Sequence, residues 1–193
     1  MRDDLFTDIP GQYNNIMAAT RVLQFNMASD LYTGSLLKTL VASRPGSRIL
    51  ELGTGSGLAT SWILQGMDED STLVTVENNE VLLEIAQQQL NDNRIDFILA
   101  DGYQWLTTYK GQFDLVFADA MPGKYDLFEE AFGLVKPGGF YIIDDMLPQP
   151  NWPAGHAERV SSFIKMLEDR NDVSLTKLNW STGIIICVKV NNK

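Results

Sequence analysis

Five short apolar, β-branched runs recur along the chain: RILELG (48–53), TLVTVE (72–77), DFILAD (96–101), FDLVFAD (113–119) and GGFYIIDD (138–145). Such runs, rich in β-branched and apolar residues, predict strands. Helical patterns lie between them. EVLLEIAQQQL (80–90) and YDLFEEAFGLV (125–135) repeat apolar residues at helical spacing, the second ending at KPGG, and another helix is expected over 157–170. Strand and helix in alternation predict parallel strands joined by right-handed crossovers, in a sheet covered on both faces. The rhythm then breaks. SLTKLNW (174–180) and GIIICVKV (183–190) are separated only by Ser181 and Thr182, a link short enough to require an antiparallel hairpin. The expected fold class is α/β: a doubly wound, seven-stranded, mostly parallel sheet with a C-terminal antiparallel hairpin and helices on both faces.

A chain of 193 residues with 45% hydrophobic and 21% charged residues suits one well-buried domain. Residues 1–193 are therefore expected to form a single domain. NNIMAATRVLQFNMASDLY and GSLLKTLVAS make residues 1–45 a predominantly helical cap, and the Pro45–Gly46 break opens the core, 46–193. A net charge of −10 argues against nucleic acid or an anionic membrane as partner and favours a small molecule. Cys187 is the only cysteine, so no intramolecular disulfide forms, and its apolar neighbours predict a buried thiol. MRDDLFTDIP has acids where a signal peptide needs a basic segment, and no apolar run reaches spanning length. A cytoplasmic location is expected.

ILELGTGSG (49–57) carries the chemistry. Gly53, Gly55 and Gly57 after the first strand permit a tight turn and close approach of a ligand, and the next helix offers its N-terminus. A dinucleotide loop would place its third glycine at position 58, which is Leu58. Glu51 would repel a pyrophosphate and suits a ligand bearing ammonium or sulfonium. Glu77, at the end of the second strand, can accept hydrogen bonds from both hydroxyls of a ribose; the plainer alternative is a cap or first-turn acid for the next helix. Asp101, Gly102 and Tyr103 close the third strand where an adenine edge would lie, with capping again the alternative for Asp101.

The set ELGTGSG, VTVENNE, ADGYQWL and FDLVFADA resembles the class I S-adenosylmethionine-dependent methyltransferases, best the catechol and caffeoyl-CoA type of small-molecule O-methyltransferase, over roughly residues 33–190. The resemblance implies a Rossmann-like fold and S-adenosylmethionine as cofactor. It gives the methionine part to Gly53, Gly55 and Gly57, ribose to Glu77, and adenine to 101–103. Asp119, at the end of the fourth strand, joins the same cofactor-binding and catalytic set. It also implies a divalent cation, Mg2+ or Ca2+, held by Asp119, Asp144 and Asp145, although the family has Asn at the last position. Relatives often carry a lysine three residues after the first metal acid, where this chain has Pro122. Lys124 becomes the candidate base, its ordinary reading being a solvated surface lysine, and His156 is the second candidate, its ordinary reading being structural. Trp152 and Met146 suit a pocket for a flat apolar acceptor or, for Trp152, a loop anchor.

The expected reaction is methyl transfer to a hydroxyl of a small molecule, with a homodimer as the expected assembly. Two rival functions remain at this stage. An NAD-dependent oxidoreductase would share the sheet and the ribose acid, but Leu58 and the terminal hairpin count against it. A protein that keeps the cofactor pocket without turnover, acting as an interaction partner, would account for Pro122 and Asp145.

Overall fold

The computed structural model describes residues 6, 8–150 and 152–191. The chain runs α1 (Tyr13–Val22), α2 (Leu31–Ala42), β1 (Arg48–Leu52), α3 (Leu58–Gly66), β2 (Thr72–Glu77), α4 (Glu80–Gln89), β3 (Ile95–Leu99), α5 (Gly102–Thr108) and β4 (Phe113–Ala118). It continues through a short turn, α6 (Met121–Lys124), then α7 (Phe128–Gly133), β5 (Val135–Ile143), α8 (His156–Glu168), β6 (Val173–Leu178) and β7 (Ile184–Lys189). The seven strands lie in the order β3-β2-β1-β4-β5-β7-β6. β1 to β5 pair in parallel, and β7 runs antiparallel to both β5 and β6.

Period-two alternation divides the central strands between two cores. Leu50 and Leu52 of β1, Val116 and Ala118 of β4, and Tyr141 and Ile143 of β5 face one core, shared with Phe128, Phe132 and Phe163. Ile49, Leu115, Phe117 and Ile142 face the other, shared with Leu37, Val41 and Ile63 of α2 and α3. Gly34, inside α2, has no β-carbon, which lets the ring of Trp62 lie directly against the helix. Cys187 is buried and unpaired, as its neighbours predict.

Local structure departs from expectation in four places. The N-terminal helical pattern is broken between α1 and α2, where Gln24 takes φ 54° and Asp30 caps α2 by accepting from the Tyr32 and Thr33 amides. α7 covers only 128–133 of the 125–135 pattern, because Leu127 adopts φ 54° just before it. KPGG does not precede the fifth strand but lies within it, with a register shift against β4 between Phe113 and Leu115. The hairpin link is 179–183, longer than two residues, with Ser181 at φ 44° and Gly183 at φ 86°. Residues 1–5 and 7 of the expected cap, and 151 and 192–193 of the core, lie outside the described residues. Among the described residues no helix is long and apolar enough to cross a membrane.

Candidate cofactor and methyl-acceptor site

Strand order reverses between β1 and β4, and loops leaving adjacent strands there diverge to opposite faces, opening a crevice at their carboxyl ends. A cavity of about 760 Å³ fills that crevice. Its wall includes Gly53 after β1, Glu77 ending β2, Ala100 after β3, Asp119 after β4, and Asp144 with Asp145 after β5. Gly55, Gly102, Tyr103, Lys124 and His156 also line it.

The glycine loop adopts left-handed conformations throughout, with φ 97° at Gly53, 53° at Gly55 and 94° at Gly57. What requires glycine differs from the expected close ligand approach at two of the three. A β-carbon at Gly53 would lie 2.6 Å from the Asp119 carbonyl oxygen, and one at Gly57 would lie 2.9 Å from the Ala86 β-carbon of α4. Gly57 is the N-cap of α3 and does not line the cavity. The Gly55 amide donates to Glu77 Oε2 at 2.8 Å, tying the loop to the end of β2. Glu77 Oε1 accepts from the Asn78 and Asn79 amides, each at 3.0 Å. The cap of α4 is the Asn79 side chain, so Glu77 is not spent on the helix.

Asp101 resolves the other way. Its Oδ1 accepts from the amides of Tyr103 at 2.8 Å and Gln104 at 3.1 Å, capping α5, and it lies outside the cavity wall. Gly102 and Tyr103 remain as the wall at that edge.

Glu51 also leaves the cofactor set. Alternation turns it to the face of Ile49, under α3, where it is fully buried. Its Oε2 accepts from the hydroxyls of Thr60 and Thr75, both at 2.6 Å, and its Oε1 has no partner. Burial pushes its pKa up to about 7 against the pull of the two threonines, and the Glu77 charge adds to the rise.

The three aspartates do converge, but on a lysine. Lys124 is 4% exposed, correcting the solvated reading. Its Nζ lies 3.2 Å from Asp119 Oδ1 and 3.4 Å from Asp145 Oδ2. Asp144 is buried and turned toward the hairpin, where Oδ1 accepts from Thr182 Oγ1 at 2.6 Å and from the Asp145 amide at 2.7 Å. Burial raises the Asp119 pKa well above the usual range; Lys124 opposes this, and the Asp144 and Asp145 charges add to it. Burial and the Asp145 charge push Asp144 up to about 6. Burial works against the Lys124 charge, but Asp119, Asp145 and Asp144 outweigh it and hold the ammonium protonated. An ammonium thus stands between two of the three acids expected to hold a metal, and among the described residues no group of three potential ligands is placed to hold a metal ion.

Several wall residues escaped the sequence reading. Residues 25–30 form a strap over the glycine loop, with the Phe25 ring 3.2 Å from where a Gly55 β-carbon would stand and Ser29 Oγ donating to Asp119 Oδ2 at 3.2 Å. The capping acid Asp30, just before LYTGSLLKTL, was the available signal for this break. At the opposite end His156 opens α8 after Gly155 turns the chain at φ 83°. Its Nε2 is 3.5 Å from the Tyr125 hydroxyl, and its ring sits 4.6 Å from that of Trp152 in an edge-to-face contact. Tyr125, Trp152 and His156 give this end aromatic walls.

Along one side of the cavity the strand-end carboxylate of Glu77 adjoins a loop that carries no side chain at Gly53 or Gly55, with the Tyr103 edge beside them. A family described as a methyltransferase domain matches residues 50–146. A protein of Mycobacterium avium provisionally designated an O-methyltransferase is 30% identical over 138 residues, covering 66% of this chain and 62% of the relative. The match thus spans less than two thirds of that curated relative's length. The O-methyltransferase TomG of Streptomyces achromogenes, solved in complex with SAM, superimposes with a TM-score of 0.83 at 24% identity, covering 97% of this chain and 93% of that one. An O-methyltransferase of Bacillus cereus, solved in complex with SAH, gives a TM-score of 0.81 at 22% identity, covering 96% and 94%. At these identities the two structures establish the fold.

Proposed function

Starting from a chain that belongs to the methyltransferase domain family, we propose that it transfers a methyl group from S-adenosylmethionine to a hydroxyl of a small molecule. The observation that carries this reading is Glu77, a carboxylate joined to the Gly55 amide at the mouth of the switch-point cavity. In this arrangement Glu77 holds ribose, the 53–56 loop faces the methionine part, and Gly102 with Tyr103 borders adenine. Bound S-adenosylmethionine supplies an electrophilic methyl group on a sulfonium. The chain supplies position and proton handling. Tyr125 and Trp152 present flat apolar walls to the acceptor. Lys124, kept protonated by its carboxylates, donates to the acceptor oxygen and does not take its proton, while Asp119 orients the ammonium. The proton passes to His156, whose Nδ1 keeps a lone pair when Nε2–H donates to the Tyr125 hydroxyl.

The chain works in this reading as one cytoplasmic methyltransferase domain and a homodimer, with residues 25–30 covering the cavity. Val22, Leu23 and, within the strap, Met27, exposed at 82%, 42% and 67%, support a self-association face there. Light scattering after size exclusion tests the dimer, and a monomer at micromolar concentration would remove it. For the activity, calorimetric titration with S-adenosylhomocysteine and separately with NAD comes first, followed by transfer of a labelled methyl group to a panel of catechols and other hydroxylated acceptors. Binding of S-adenosylhomocysteine alone, with turnover on at least one acceptor, is the expected result. Binding of NAD would overturn the reading. Cofactor binding with no turnover across the panel would favour an interaction protein that has kept its pocket.

A further inference from the structure

We propose that the Lys124 ammonium is the resident cation of the Asp119–Asp144–Asp145 cluster and keeps divalent metal out of it. The local chain is built to deliver it there. In MPGK (121–124) Pro122 takes ψ 133° and Gly123 takes φ 91°, so the short turn cannot continue as a helix and folds back on itself. The Gly123 amide donates to the Asp126 carbonyl at 2.7 Å, and the Gly123 carbonyl accepts from the buried Tyr141 hydroxyl of β5. A β-carbon at Gly123 would collide with Leu52 Cδ1 at 2.5 Å, so the turn is pressed against the end of β1. Pinned at both points, the chain directs Lys124 inward, where its side chain is 5% exposed against 12% for Asp119 and 43% for Asp145. Asp145 completes the arrangement from a left-handed backbone, φ 61°, a conformation L residues rarely keep without a compensating contact.

Asp119 Oδ1 and Asp145 Oδ2 are already paired with nitrogen, at 3.2 and 3.4 Å from Nζ, and Mg2+ or Ca2+ would have to draw the same oxygens in to roughly 2.0–2.6 Å. An ion entering between those oxygens would meet a buried positive charge at about hydrogen-bond distance, in surroundings that screen it poorly. Ion and ammonium are therefore alternatives. A flexible lysine on the surface would simply swing away, but burial and the Gly123 anchors deny this one the room. On the function proposed above, methyl transfer then proceeds in the presence of a chelator, the ammonium serving the acceptor oxygen directly.

The test uses Mn2+ as the probe, added to the full chain after chelator treatment and followed by the loss of free-ion electron paramagnetic resonance signal. The same samples are titrated with S-adenosylhomocysteine, so failure of the cofactor reading is seen separately from failure of this one. The wild type is expected to show no one-to-one Mn2+ site. Lys124→Met, which keeps the apolar stem and removes the charge, is expected to bind one Mn2+ about tenfold or more tightly than the wild type, and a further Asp119→Asn change should abolish that gain. A saturable one-to-one site in the wild type that Asp119→Asn removes would overturn the proposal. So would a folded Lys124→Met protein that gains no site. Should that variant fail to fold, Lys124→Gln replaces it, and the wild-type titration alone retains the power to refute.

Discussion

Glu51→Gln separates a structural acid from a cofactor ligand and has a calculable signature. Glu51 is fully buried with one oxygen on two threonine hydroxyls and the other unpartnered, and its pKa rises from 4.5 to about 7. An acid whose folded pKa is raised binds its proton more tightly in the native state than in the unfolded chain. Its contribution to stability is therefore present at low pH and is lost as pH rises from about the unfolded value through the folded one. At about 1.4 kcal/mol per tenfold change in proton affinity, the full loss is about 3 kcal/mol, of which about 2–3 kcal/mol falls between about pH 5 and about pH 8. Glutamine keeps an oxygen for Thr60 and Thr75 but cannot ionise. Its amide N–H groups take the place of the unpartnered oxygen, a cost that does not vary with pH. Urea unfolding of both proteins across this range, with equal m-values, should show the variant gaining about 2–3 kcal/mol on the wild type from the acid to the alkaline end. Asp119 and Asp144 titrate in both proteins and cancel in the difference. Parallel curves would refute the burial argument. A large loss of S-adenosylhomocysteine affinity in Glu51→Gln would return the residue to the cofactor site.

Three other substitutions test neighbouring parts of the site. Glu77→Ala removes the acceptor of the Gly55 amide and should weaken S-adenosylhomocysteine binding by about 1.5–3 kcal/mol in calorimetry while the fold persists; unchanged affinity would refute the ribose assignment. Tyr141→Phe leaves the Gly123 carbonyl without its buried donor and should lower unfolding free energy by about 1–3 kcal/mol. An unchanged urea midpoint would show that the 121–124 turn does not depend on that bond. His156→Ala should reduce kcat for methyl transfer by about 100-fold or more with S-adenosylhomocysteine affinity retained, and equal kcat would move the proton to another acceptor.

The sequence by itself determined the alternating elements, the antiparallel end, and the positions after each strand where the cavity would lie. These are legible because hydrophobic period and chain punctuation act over a few residues, and because strand carboxyl ends are a topological address that any parallel sheet shares. It also marked Glu77 as a strand-end acid, and the structure places that residue on the cavity wall with Asn79 capping the next helix. Tertiary structure alone decided which acids face the ligand. Glu51 and Asp101 look as available as Glu77 in a one-dimensional reading, but the pleat sends Glu51 under α3 and two nearby amides claim Asp101. The same holds for the glycines, since Gly53 and Gly57 answer to Asp119 and Ala86, residues distant in the chain. Lys124 is the clearest case. Its burial depends on Gly123 meeting Tyr141 and Leu52, contacts formed only when β5 and β1 are assembled. Electrostatics in a cluster follows from distance and burial together, and neither is encoded in the spacing of charges along a chain.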